Sequence, residues 1–181
     1  MRCNFFFALL LLLLPLVSCE KEDAAPNDDT EFVPGELLLG TKETTSLPQA
    51  FSLLNSRPFS ILSISTPIYT SAMPADSLGY IERTLNAKSY VNDGIWKAHV
   101  YQHALTGTLT ITARLMNMSR TNQQDWLATV QKLRLQEQPN SYTSYHLKVP
   151  VGEEKKWVKE LQQQSEVRWA ELNNIIHIEL Y

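Results

Sequence analysis

From residue 32 onward, apolar positions recur with a period of two in some segments and of three to four in others, which marks strands and amphipathic helices in turn. Glu36-Leu37-Leu38-Leu39-Gly40-Thr41 is a short apolar run bounded by glycine and predicts a strand. Ser46, with Pro48 in the first turn and Gln49 three residues on, predicts a helix start. That helix places Leu47, Phe51 and Leu54 on one face and stops near Asn55, before Pro58. Phe59 to Ile64 alternates as a strand, and Pro67 to Pro74 reads as a loop. Asp76 is positioned to cap a helix with Leu78, Ile81 and Leu85 at its apolar positions. Beyond the turn at Asn92-Asp93-Gly94, two segments alternate. Trp96, Ala98 and Val100 come first; Leu109, Ile111, Ala113 and Leu115 follow the Thr106-Gly107 turn, and together they predict an antiparallel hairpin with one face in the core. Thr121 with Gln124 predicts a further helix, with Trp126, Leu127, Val130 and Leu133 inward. Tyr145, Leu147 and Val149 alternate as a strand, Trp157, Val158 and Leu161 form the stripe of a last helix, and Val167 to Tyr181 is apolar and extended. Strands and helices mix without Gly-rich parallel crossovers, so the predicted class is α+β with a mostly antiparallel sheet. No internal repeat is visible.

The first 31 residues have a different character. The apolar run from Phe5 to Val17 is 13 residues long, whereas a helix that spans a bilayer needs about 20. Residues 1–18 therefore read as a signal peptide, outside the fold argument. Leu16-Val17-Ser18-Cys19 resembles the lipobox of bacterial lipoproteins. The resemblance implies a diacylglycerol thioether on Cys19, which only a thiol can form, and with it a membrane anchor. Two or three acyl chains hold far more firmly than one, since each buried methylene contributes about 0.8 kcal/mol. Cys3 lies in the discarded segment, so no disulfide is expected within the mature chain. Residues 19–31 read as the lipidated cysteine and an acidic tether, with like charge and no apolar periodicity. The tether is either a plain spacer or, since Glu20-Lys21-Glu22-Asp23 resembles the acidic signal of some surface lipoproteins of Gram-negative bacteria, an export tag as well. The expected location is the outer membrane, lipid-anchored and exposed at the surface.

Charge follows the same division. The chain holds 16 basic and 19 acidic side chains, a net −3, and one lysine against six acids falls in residues 20–31. Residues 32–181 are left nearly neutral, which argues against a nucleic-acid partner.

The chemistry-bearing residues are sparse. Six glycines lie scattered, with no phosphate-binding loop and hence no nucleotide cofactor expected. His99 and His103 lie on one predicted strand, roughly 13 Å apart at about 3.3 Å per residue, too far to share a metal. No Gly-x-Ser-x-Gly elbow is present. Glu153-Glu154 opens a helix, where negative charge is favoured, and with Lys155, Lys156 and Lys159 it reads as a solvated face. Trp96, Trp126 and Trp157 fall at predicted core positions, while Trp169 is unassigned. The chain is not expected to be an enzyme.

One lead toward function lies in the last forty residues: Leu147-Lys148-Val149-Pro150-Val151, then Trp157-Val158-Lys159-Glu160-Leu161, then Ser165 to His177. A helix with Val-Lys-Glu-Leu, a valine opening the last strand, an acid four positions later and a terminal histidine are similar to the subtilisin-propeptide family of protease inhibitors. Residues 32–40 and the helix after them resemble the first half of that domain. The resemblance implies a ferredoxin-like βαββαβ fold with helices on one face, split into halves 32–65 and 144–181 by a hairpin-plus-helices insertion over about 66–143, within a single domain spanning 32–181. It further implies that a tail, Ile176-His177-Ile178-Glu179, enters a protease cleft while Glu171 and Asn173 cap helices on the protease surface. A free extended terminus can add as a strand to an enzyme's edge, which gives this a physical basis. The partner expected is a subtilisin-like protease acting in trans, or, alternatively, the chain is a structural or glycan-binding surface lipoprotein.

Overall fold

Leu37, Leu39, Tyr145 and Leu147 are almost wholly buried, while Glu36, Leu38, Ser144 and His146 between them are only partly covered. The period-two runs thus become strands with one face in a core and one open. A computed structural model describes residues 31–65, 68–138 and 143–175. Its strands are β1 (Phe32–Thr41), β2 (Ser60–Ser65), β3 (Tyr69–Ser71), β4 (His99–Gln102), β5 (Leu109–Thr112), β6 (Arg114–Met116), β7 (Leu135–Glu137), β8 (Ser144–Lys148) and β9 (Val167–Asn174). Its helices are α1 (Leu47–Asn55), α2 (Leu78–Asn86), α3 (Arg120–Lys132) and α4 (Glu154–Gln162), with a 3₁₀ turn at Ala75–Ser77.

The fold is α+β with two antiparallel sheets. The first has the order β6-β2-β8-β1-β9 and the second β4-β5-β3-β7. Setting β6 aside, the first sheet is built from β1-α1-β2 and β8-α4-β9 in the spatial order second, third, first, fourth, with every neighbour antiparallel. This is the ferredoxin-like arrangement. The segment between β2 and β8 repeats it. In β3-α2-β4-β5-α3-β7 the spatial order is again second, third, first, fourth, and again every pair is antiparallel. One split βαβ unit is therefore nested in the hairpin of another. The expected hairpin is β4 and β5, with helices α2 and α3; β3 and β7 join it into a four-stranded sheet, and β6 extends the first sheet.

Strands pass between the sheets. Leu109, Ile111, Ala113 and Leu115 all point inward along β5 and β6, although β5 pairs with β3 and β6 with β2. A single inward parity on this ribbon keeps one core under both sheets. Leu54 of α1, Trp126 of α3, Leu161 of α4 and Tyr145 of β8 belong to the same buried cluster. Asn55 and Gln123 fasten α1 to α3: Asn55 Nδ2 donates to Gln123 Oε1 at 2.7 Å, and Gln123 Nε2 donates to the Met118 carbonyl at 2.8 Å.

Several local expectations hold. Helix α1 runs to Asn55, and Gln49 Oε1 accepts from the Ser46 backbone at 2.9 Å at its start. Glycines 94 and 107 take positive φ in the two predicted turns. Others change. The stretch from Pro67 to Pro74 contains β3, because Tyr69 and Ser71 are drawn into the sheet between β5 and β7. Asp76 sits inside the 3₁₀ turn and Ser77 is the residue preceding α2. Ser119, not Thr121, caps α3, its hydroxyl accepting from Asn122 N at 3.2 Å. Trp96 lies outside β4 and is 54% exposed, so it is not a core residue.

Candidate functional site

Among the described residues, no helix covers the outer face of the five-stranded sheet. The registers place its outward residues in straight rows across the strands. One row reads Trp169, Gly40, Ser144, Ser65, Arg114, on β9, β1, β8, β2 and β6. The next reads Glu171, Leu38, His146, Ser63, Met116. Each row crosses four inter-strand steps, roughly 19 Å at about 4.8 Å per step.

The first row is a trough, because its three middle residues are Gly and Ser. Its Trp end is held by Gly40: a Cβ there would lie 2.2 Å from Trp169 Nε1, so the indole lies directly over the glycine and only glycine admits it. At the other end Arg114 donates from Nη2 to Ser63 Oγ at 3.3 Å and lies 5.7 Å from the Trp96 ring centroid. Between them is a shallow basin of about 260 Å³, floored by Leu38 and His146. A second hollow of about 400 Å³ adjoins it across Arg114, toward Trp96 and His99.

Alongside the rows, Glu36 gathers two partners. Its Oε2 lies 2.7 Å from His146 Nε2 and accepts from Asn173 Nδ2 at 2.7 Å. Burial alone would push the Glu36 carboxyl up, but the hydrogen bonds from His146 and Asn173 outweigh it and hold the group below the ordinary carboxylate range. Glu36 is thus an anion on this face, with Lys148 across the strand from it.

Of the residues expected to bind a partner, Glu171 is exposed and points outward from β9, and Asn173 is half-buried and bonded to Glu36. The structure brings these two to the same face. Ile176, His177, Ile178 and Glu179, like Cys19, lie outside the described residues. Glu36, His146, Arg114 and Trp169 were not singled out by sequence reasoning. The signal was present as the off-core parity of each strand, since positions 36, 146, 169, 171 and 173 alternate with the buried ones. What could not be read was that the rows align across strands far apart in the chain. Among the described residues no serine hydroxyl hydrogen-bonds His146, and no group of three metal-ligating side chains converges. The face offers anionic, hydroxyl and indole groups for recognition.

Comparison with protein-family models, with curated proteins and with solved structures finds no match for this chain.

Proposed function

We propose that the chain is a lipid-anchored, non-catalytic binding module of the Gram-negative cell envelope. Lipid on Cys19 holds it at the outer membrane, and the domain engages a protein partner with the outer face of its five-stranded sheet and its C-terminal strand. The partner class is a subtilisin-like protease, as the C-terminal sequence resemblance implies. One observation carries the reading: β9 turns Glu171 and Asn173 outward beside the Glu36 carboxylate, on the sheet face that no helix among the described residues covers. In the resembling family an acid often stands where Asn173 does. Here Glu36, on the adjacent strand β1 and bonded to Asn173, supplies negative charge at that place, suited to the N-terminus of a partner helix. Glycan binding is the second reading, favoured by the row of serine hydroxyls running from Trp169 to Arg114, since an indole and hydroxyls together suit a sugar ring.

The full-length protein tests both halves of the proposal. Cys19→Ala is expected to abolish incorporation of a fatty-acid analogue, and retained labelling refutes the anchor. Titration against a panel of subtilisin-like proteases is expected to give inhibition that Glu171→Lys weakens at least tenfold and that deletion of residues 176–181 removes. No inhibition, or inhibition indifferent to both changes, rejects the protease partner. Saturable glycan binding lost in Trp169→Ala would then support the second reading.

A further inference from the structure

The β5–β6 ribbon keeps one outward side as it passes from the second sheet to the first, and that side carries Thr112 and Arg114. The registers place His99 across from Thr112 and Ser65 across from Arg114. The loop before β4 adds Trp96 and Lys97, and together these side chains line the hollow of about 400 Å³ beyond Arg114. That volume lies within the usual range of ligand sites, roughly 300 to 1,000 Å³.

Trp96 is fixed where it stands. Asp93 Oδ1 accepts from the backbone N–H groups of Ile95 at 2.9 Å and Trp96 at 2.7 Å, and Asp93 N donates to the Trp96 carbonyl at 3.3 Å. Trp96 is nevertheless 54% exposed, so the fold holds a large apolar ring in solvent where it covers no core. A surface ordered in advance lowers the cost of binding.

The charge beside it is positive. Arg114 lies 5.7 Å from the Trp96 ring centroid; its Nη2 bonds Ser63, while its Nη1 is not enclosed and has no hydrogen-bond partner among the described residues. Lys97 is exposed, and among the described residues neither cation forms a salt bridge. No acid lines the hollow. Asp93 feels the charge of Arg114, but the backbone bonds from Trp96 and Ile95 are what chiefly hold its carboxyl low. His99, Thr112 and Ser65 add imidazole and hydroxyl partners for a ligand's own hydroxyls. The tether joins at Phe32, whereas Ser65 and Arg114 lie in the Gly40 row, roughly 26 Å along β1 at about 3.3 Å per residue. The hollow is therefore remote from the point where the tether enters, which favours a soluble ligand over a lipid headgroup.

We infer that this hollow binds a hexuronic acid unit of an acidic polysaccharide, its ring against Trp96 and its carboxylate between Arg114 and Lys97. The inference deepens the glycan reading and rests on it, since the hollow continues the row from Trp169 to Arg114. The fork of Arg114 suits a carboxylate. An acidic peptide matches the charge but brings no hydroxylated ring for the indole, Thr112 and Ser65. A neutral sugar leaves both cations unused.

The probes are tetramers of galacturonate and of mannuronate, with their neutral methyl esters and tetraglutamate for comparison, titrated calorimetrically into purified full-length protein. At least one uronate is expected to bind saturably, its methyl ester at least tenfold more weakly, and added salt should weaken the uronate. Trp96→Ala should lower uronate affinity at least tenfold, and Lys97→Gln about three- to tenfold. Both residues are exposed, so neither change removes a core contact. Binding of neither uronate overturns the inference, as does equal binding of the methyl ester or of tetraglutamate. Uronate affinity unmoved by Trp96→Ala or by Lys97→Gln overturns it as well. Methyl-ester binding that equals that of the acid and is lost in Trp169→Ala would sink the inference and leave the glycan reading standing.

Discussion

Glu154 shows how far a single side chain can depart from what its neighbours in sequence suggest. Beside Glu153 and three lysines it reads as part of a solvated face, yet it is 4% exposed. Its Oε1 accepts from the backbone N–H of Gly35 at 2.6 Å, 119 residues away. Gly35 takes φ +76°, which any other residue would adopt with strain, and it points this N–H at the first turn of α4. Burial alone would raise the Glu154 carboxyl. Bonds from its own N–H and those of Gly35 and Gly152 outweigh it, and the group stays below its ordinary range of about 4.5. The folded state therefore holds this proton less tightly than the unfolded one. The contribution is complete above about pH 5 and is lost as pH falls through the folded value. Glu154→Gln should flatten the acid limb of the stability profile in chemical denaturation, with little change in its shape near pH 7. Glu154→Ala should cost about 1 to 3 kcal/mol, because the Gly35 N–H is left buried and unpaired. An unchanged acid limb in Glu154→Gln would mean that the carboxylate is not responsible. The preference of an acid for a helix start was legible in the sequence; its burial was not, because Gly35 reaches it only through the tertiary fold.

Among the elements, legibility followed length. The helices were visible because an apolar stripe repeats over two or more turns, and α1, α2 and α4 lie where that stripe places them. Strands β3 and β7 have three residues each, too few for a period to emerge, and β3 is flanked by Pro67 and Pro74, which read as loop. Their identity as strands comes from pairing on both sides of β3, not from local preference. The start of α3 was misplaced by two residues, since Thr121 and Gln124 satisfy the capping pattern as well as the residue that performs it. Ser119 accepts from Asn122 N, and Asn122 Nδ2 donates back to the Asn117 carbonyl at 2.8 Å, which closes the turn. Substituting the cap should be felt and substituting the decoy should not. Ser119→Ala is expected to cost about 1 kcal/mol and to lower the melting temperature by about 2 to 4 °C in a protein of this size. Thr121→Ala, at an exposed position, should stay within about 0.5 kcal/mol of wild type. Equal effects in thermal denaturation would contradict the assignment of the cap.

At the scale of the whole molecule, the nesting decides how the parts depend on one another. The outer unit is discontinuous: β1 and β2 precede the inner unit, β8 and β9 follow it, and β1 sits between β8 and β9. The central pairings of the first sheet thus form only after the chain has closed over the whole inner unit, a loop whose entropy must be recovered from packing. The inner unit is continuous in sequence, but β5 runs on into β6, which completes the edge of the outer sheet against β2. None of this showed as a sequence repeat, because the two units share a strand order and not a residue pattern. The strands and helices of the outer half were legible from their periodicity, and the inner half was seen only as a hairpin with helices. Two units built so could still be two folding units if each had its own core. They do not, since Leu54, Ile64, Ile111, Trp126, Tyr145 and Leu161 form one buried cluster drawn from both. Loss of either unit would expose the other's apolar face, so they should unfold together. Denaturant unfolding is expected to give coincident curves from tryptophan fluorescence, dominated in the core by Trp126 of the inner unit, and from far-UV circular dichroism, to which both sheets contribute. A fluorescence transition displaced from the circular dichroism transition would show the inner unit melting alone, and the shared β5–β6 ribbon would then be too weak to couple them.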